Sequence, residues 1–126
     1  MNMKRILVTG ITGFVGSHMA DYILKNKKNY KLYGIKRYHL SRLDKIEHIF
    51  DKISWIDCDI TDPIATEKLI KEVKPNKIFH FAAESFVSPS WDHPHRYMSV
   101  NYNGTLNILE AMKKIGSKAK ILIPGS

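Results

Sequence analysis

The stretch Thr9-Gly10-Ile11-Thr12-Gly13-Phe14-Val15-Gly16 decides the fold. It follows an apolar run over residues 5–9 and opens a segment in which Phe14, Val15, His18, Met19, Tyr22 and Ile23 recur at helical spacing. Glycines three residues apart at a strand-to-helix junction have two physical uses. A tight turn needs positive φ, which glycine adopts without a Cβ clash. A dinucleotide pyrophosphate needs backbone N–H groups within reach, at a helix N-terminus whose dipole and free amides favour an anion. A P-loop is excluded, because no Gly-Lys-Ser/Thr follows. Gly10, Thr12, Gly13, Phe14, Val15 and Gly16 are therefore the expected pyrophosphate cradle, with Gly16 also letting the helix pack on the strand.

The same alternation repeats downstream. Short apolar or β-branched runs occupy residues 31–35, 53–56, 77–81 and 120–123, bounded by Gly, Pro, Asp or Asn. Near-continuous hydrophobicity is how strands covered on both faces read. Ile64, Leu69, Ile70 and Val73 mark a helix opened by Asp62-Pro63 and ended before Pro75. A third helix over about residues 95–115 carries Met98, Tyr102, Leu106, Leu109 and Met112 and stops at Gly116. The pattern predicts one α/β domain over residues 1–126, a doubly wound parallel sheet of five strands in the order 3-2-1-4-5 with helices on both faces.

The 126 residues are 44% hydrophobic and 25% charged, a globular composition that excludes a disordered tail. No apolar run approaches the ~20 residues of a membrane span, and the N-terminal run is too short for a signal peptide. A soluble, cytoplasmic protein without a membrane partner is expected. The single cysteine, Cys58, expected in or beside the third strand, excludes a disulfide framework and a Cys-based zinc site. His93 and His95 have no third ligand at a helpful spacing, so no metal is expected, and His18 reads as a packing position. The net charge is +8, and residues 25–52 alone hold nine Lys/Arg against three Asp/Glu. Such a stretch fits an anionic partner, nucleic acid or a phosphate-bearing small molecule, and fits a solvated surface equally well. It lacks interleaved aromatic platforms beyond Tyr38, and no helix-turn-helix, RNP or zinc pattern occurs, so nucleic acid is not the expected partner.

Several separated motifs, in order, carry a family resemblance. The glycine turn is joined by Asp59-Ile60-Thr61-Asp62 after the third strand and by Phe81-Ala82-Ala83-Glu84-Ser85 after the fourth. Asn101-Tyr102-Asn103-Gly104-Thr105 then leads into Leu109-Glu110-Ala111. Together these resemble the extended short-chain dehydrogenases/reductases, the epimerase/dehydratase family. Tyr33-Gly34-Ile35-Lys36-Arg37 and Ala82-Ala83-Glu84-Ser85-Phe86-Val87 are most similar to GDP-mannose 4,6-dehydratases, with GDP-6-deoxy-4-keto-mannose reductases close behind. The resemblance implies that Asp59 accepts from the adenine amino group with the Ile60 backbone beside it, a capping role being the alternative. It also implies that Ser85 lies near the sugar and nicotinamide, capping again being the alternative. Phe81, Ala82 and Ala83 end the fourth strand at the switch-point crevice, where small side chains let ribose and nicotinamide approach the backbone.

The end of the second strand bears on which dinucleotide is bound. An acidic residue there would hold the ribose 2′-hydroxyl of NAD, whereas a basic one accommodates a 2′-phosphate. The strand ends in Ile35-Lys36-Arg37 with no carboxylate before Asp44, so NADP is expected, with Arg37 as its phosphate fork and Lys36 or Arg42 assisting.

The resemblance further implies a nucleotide-sugar substrate such as GDP-mannose and a Ser or Thr after strand five that hydrogen-bonds the substrate hydroxyl. Only Ser126 stands there, as the sole catalytic candidate. In relatives a Tyr-x-x-x-Lys pair follows much later, and no tyrosine here has a lysine four residues on. The residues read as the cofactor-binding half of an NADP-dependent nucleotide-sugar 4,6-dehydratase, not expected to run the reaction alone, with strand five as a bare sheet edge. A homo-oligomer, dimer or tetramer, through the outer face of residues 95–115 is also implied. The alternatives are a 4-ketosugar reductase, a 4-epimerase or a non-catalytic NADP-binding module.

Overall fold

The computed structural model describes residues 3–84 and 87–125. Five parallel strands, β1 (Lys4–Thr9), β2 (Tyr30–Lys36), β3 (Ser54–Asp57), β4 (Lys77–His80) and β5 (Lys120–Leu122), form one sheet in the order β3-β2-β1-β4-β5. Leu7 of β1 lies opposite Tyr33 of β2 and Ile78 of β4, which puts β1 at the centre and the reversal of strand order between β1 and β4. The helices are α1 (Phe14–Asn26), α2 (Pro63–Val73), α3 (Val87–Asp92), α4 (Pro94–Tyr97) and α5 (Gly104–Lys114). Two 3-10 turns, Tyr38–Leu40 and Glu47–Lys52, lie between β2 and β3.

The strands carry almost continuous apolar sequence because each face is covered by its own core. On one face Leu7, Ile35 and Ile78 pack with Leu69, Ile70 and Val73 of α2 and with Ile108, Ala111 and Met112 of α5. On the other, Ile6, Val8 and Leu32 pack with Ile11, Ala20 and Ile23 and with Ile46, Ile49 and Ile53 of the long β2–β3 connection.

Local chemistry sets the helix ends. Asp62 caps α2 by accepting from the Ile64 N–H at 2.9 Å and the Ala65 N–H at 3.1 Å, with Pro63 in the first turn. The helix closes at Lys74 in the left-handed region, just before Pro75. α5 closes as expected at Gly116, whose φ of +66° lets Ser117 N–H reach the Met112 carbonyl while Gly116 N–H reaches that of Lys113. The expected single helix over 95–115 is instead α4, a π-helical segment Met98–Asn103, and α5 in succession.

The faces these helices bury differ from the apolar stripes in the sequence. α1 buries Gly16, Ser17, Ala20 and Ile23, leaving Tyr22 and Val15 exposed and Phe14 69% exposed. Close approach of a helix to a turn selects small residues, so the contact face is the Gly16–Ala20 side. His18 is exposed and bonds the Phe14 carbonyl at 2.8 Å, so it is not a core packing residue. Ile64 of α2 is 80% exposed, and Met98, Tyr102, Leu106 and Leu109 lie outward while Val100, Gly104, Ile108 and Ala111 face the sheet.

Two glycine substitutions separate a steric from a conformational requirement. A Cβ at Gly16 would stand 2.1 Å from the Gly10 carbonyl oxygen, whereas one at Gly116 would meet nothing within 4 Å. Gly16→Ala should cost about 2–3 kcal/mol through overpacking, and Gly116→Ala about 1–2 kcal/mol through its backbone conformation alone. Urea unfolding checks the ranking; a milder effect at Gly16 would mean that the turn yields.

Candidate functional site

The carboxyl ends of β1, β2, β3 and β4 open into a crevice of about 430 Å³ at the switch point of the sheet. Its floor is the glycine turn. Gly10 has φ +66°, and a Cβ there would lie 2.6 Å from the Ala82 nitrogen and the Phe81 carbonyl carbon. No side chain fits between the β1 and β4 ends. Gly13 is different: its φ of −86° suits any residue, and an added Cβ would touch only the Gly10 carbonyl oxygen, at 3.3 Å. Gly13 is also the N-cap of α1, which has no side-chain cap and no acidic residue in its first turn. A glycine with little packing reason to be one, at an uncapped helix N-terminus, fits the close approach of a pyrophosphate.

Gly10, Thr12 and Gly13 line the crevice, as do Arg37, Asp59, Ile60, Phe81, Ala82 and Ala83. Phe14, Val15 and Gly16 do not appear on its wall; Gly16 is buried under the turn, and the first two point outward. Ser85 and Ser126 lie outside the described residues. Lys45 and Arg96, not singled out by the sequence, also line the crevice. Each is brought there by tertiary structure, Lys45 by the loop after β2 and Arg96 by α4, so no local pattern marked them.

At the β2 end, Lys36 Nζ donates to Asp57 Oδ1 at 2.8 Å, and the same oxygen accepts the Tyr38 N–H at 3.2 Å. Arg37 N–H donates to Ser41 Oγ at 2.9 Å, and Tyr38 takes a φ of +48°, left-handed for a non-glycine residue. These contacts fix the backbone on which Arg37 stands. Asp59 accepts from the Thr61 N–H at 3.0 Å and the Thr61 hydroxyl at 2.8 Å, so it shapes the start of the loop while Asp62 does the capping. Burial pushes the Asp59 carboxyl upward, but the Thr61 bonds and the Arg37 and Arg96 charges outweigh it and hold the group below its ordinary range. Asp59 is therefore an ionised acceptor. Cys58, buried beside it, has its thiol pushed up to about 11 by burial, which makes it a poor nucleophile. Among the described residues, no group of three or more His, Cys, Asp and Glu could hold a metal ion, and no helix is long and apolar enough to cross a membrane.

Beneath the crevice His80 is 4% exposed, with Nδ1 2.6 Å from the Thr9 hydroxyl and Nε2 3.0 Å from the Thr105 hydroxyl. Burial lowers its pKa to about 4.

A family model described as GDP-mannose 4,6 dehydratase matches residues 7–126. The chain belongs to the GDP-mannose 4,6-dehydratase family. It is 35% identical to a GDP-mannose 4,6-dehydratase of Yersinia enterocolitica over 94% of this chain and 33% of that protein. A UDP-glucose 4-epimerase from Bifidobacterium longum, solved in complex with NAD+ and UDP, superposes with a TM-score of 0.82 at 30% identity, covering 98% of this chain and 37% of that one. A dTDP-glucose 4,6-dehydratase from Bacillus anthracis in complex with NAD gives 0.76 at 29% identity, over 94% and 36%. The chain thus spans about a third of the length of the curated GDP-mannose 4,6-dehydratases it matches.

His80 gives this member of the family a pH signature. The unfolded imidazole titrates near 6.5 and the folded one near 4, so below 6.5 the unfolded state binds the proton first. Stability is fully present above the unfolded value and falls between 6.5 and 4, by up to about 3 kcal/mol. Asp59 and Glu67, held below their ordinary 3.8 and 4.5, add a loss at the acid end that parent and variant share. Urea unfolding across that range should show a steeper loss in the parent than in His80→Asn; parallel curves would contradict it.

Proposed function

We propose that this chain is the cofactor-binding half of an NADP-dependent nucleotide-sugar 4,6-dehydratase acting on GDP-mannose. The observation that carries the cofactor assignment is the β2 end. The crevice wall there is built from Lys36, Arg37, Arg42 and Lys45, of which Lys36 is paired with Asp57 at 2.8 Å and Arg42 loosely with Asp44 at 3.7 Å. A ribose 2′-phosphate at this wall faces a net positive surface led by Arg37 and Lys45. Arg37 supplies a planar fork for that phosphate, Asp59 accepts from the adenine amino group, and the Gly13 backbone with the α1 N-terminus holds the pyrophosphate. The small Ala82 and Ala83 let the nicotinamide end lie against the β4 backbone. The chemistry the bound dinucleotide supplies is reversible hydride transfer.

On the substrate side, Ser85 follows Glu84 in the sequence and Ser126 follows Gly125; sequence alone supports their assignment to the sugar and to its reacting hydroxyl. The outward stripe of Met98, Tyr102, Leu106 and Leu109 supports pairing of copies into a homo-oligomer, and a cytoplasmic location belongs to the same reading. A second reading, a 4-epimerase, is favoured by the superposition on the Bifidobacterium longum enzyme and would pair with NAD instead.

Calorimetric titration distinguishes them. Arg37→Ala should weaken NADP binding about ten- to a hundredfold, the worth of a charge-assisted pair, while leaving NAD within a factor of about two. Equal weakening of both would remove Arg37 from the phosphate. Gly13→Ala should leave urea stability within about 1 kcal/mol and weaken either dinucleotide at least about tenfold, since the new methyl enters the pyrophosphate path. Unaltered affinity would place the cofactor elsewhere.

A further inference from the structure

The crevice rim Ala82–Glu84 is held at both ends by side chains from other elements. At one end the Ala82 N–H donates to Thr9 Oγ1 at 3.1 Å. At the other, Asn101 Oδ1 accepts the Glu84 N–H and Asn101 Nδ2 donates to the Glu84 carbonyl, each at 2.8 Å. His80 joins the two anchors, with Thr9 on Nδ1 and, on Nε2, Thr105, whose hydroxyl lies 3.0 Å from the Asn101 carbonyl.

Counting protons leaves one arrangement in which every bond is made. Thr9 Oγ1 already accepts from Ala82, so its own hydrogen goes to Nδ1, which must be bare. Nε2 then carries the hydrogen and donates to Thr105, and the Thr105 hydrogen goes to the Asn101 carbonyl. In the other tautomer Thr9 would accept twice with its hydrogen unpaired in a buried site, and Thr105 would turn away from Asn101. That forfeits the Thr105–Asn101 bond and leaves the buried Thr9 hydroxyl with an unpaired hydrogen, which is expensive. A doubly protonated ring fails in the same way at Thr9, and burial already disfavours it.

We propose that His80 is a positioning residue for the cofactor crevice, fixed as the Nε2–H tautomer by Thr9 and Thr105 so that the β1 end and the start of α5 hold the Ala82–Glu84 rim as one unit. This rests on the reading that a nicotinamide dinucleotide lies against that rim. The direction of each hydrogen bond is thereby set across about a hundred residues of sequence, from Thr9 to Thr105.

Long-range 15N–1H correlation of the imidazole in the 126-residue chain tests the tautomer without any variant. At neutral pH the expected spectrum has a protonated Nε2 and a bare Nδ1; a protonated Nδ1 would overturn the proposal. Thr105→Val removes the acceptor, so Nδ1 should stay bare under Thr9 while the Nε2–H, now unpaired, shifts and exchanges faster, with NADPH weakened about tenfold, the effect of one unmade bond. Thr105→Ser restores the hydroxyl and should return both the spectrum and the affinity to within about twofold of the parent. A Thr105→Val protein that keeps the parent spectrum and affinity would overturn the linkage. Should the parent bind neither NADPH nor NADH, the cofactor reading falls by itself, and the parent tautomer with the response of the Nε2–H signal to Val and Ser at position 105 still decides the role of His80 in holding the rim.

Discussion

A β-carbon at Gly16 would stand 2.1 Å from the Gly10 carbonyl oxygen, and one at Gly10 would stand 2.6 Å from the Ala82 nitrogen. These two exclusions tie three pieces of backbone together: the end of β1, the first turn of α1 and the chain leaving β4. Everything else in the crevice is arranged around that contact. Because α1 begins so close to β1, its face toward the sheet consists of Gly16, Ser17, Ala20 and Ile23, and its amide groups point at the space above Gly13. Because the β4 exit is pressed against Gly10, Ala82 can donate to Thr9, and the rim that follows has a fixed starting point.

Charge is distributed on this frame with a clear division. Asp59 stays ionised despite burial because Thr61 bonds it and two arginines face it, so it is a charged acceptor on the crevice wall. Asp57, one strand-end away, is engaged by Lys36 and the Tyr38 N–H. That engagement leaves Arg37 on a defined backbone with cations around it. The positive excess over residues 25–52 is thus partly a property of the crevice wall, through Lys36, Arg37, Arg42 and Lys45, and partly ordinary surface.

The strand order, the glycine turn and most of the crevice lining were legible in the sequence because each depends on local rules: buried parallel strands are continuous apolar runs, and a strand-to-helix turn of this type requires glycine at fixed spacing. The helix faces were not. The conspicuous Phe14–Val15–Tyr22 and Met98–Tyr102–Leu106 stripes lie outward, while small residues make the contacts, since apolar spacing reports amphipathicity but not which side faces the sheet. Gly104 was the available signal on α5: a Cβ there would lie 2.6 Å from the Ile60 side chain. The His80 relay was invisible for a different reason. Thr9, His80 and Thr105 are each unremarkable in their own segments and acquire a role only when parallel pairing brings the strand ends level.

In the proposed function a dinucleotide lies over the Gly10–Gly13 turn with its adenosine end toward Arg37 and Asp59. The most direct measurement is a 15N–1H amide map of the chain titrated with NADPH. Shifts concentrated at Gly13, Phe14, Val15, Arg37, Ile60 and Ala82 are predicted, with α2's Lys68 and Lys71 unmoved. Shifts confined to the lysines at the opposite ends of the strands, or none at saturating NADPH, would contradict it.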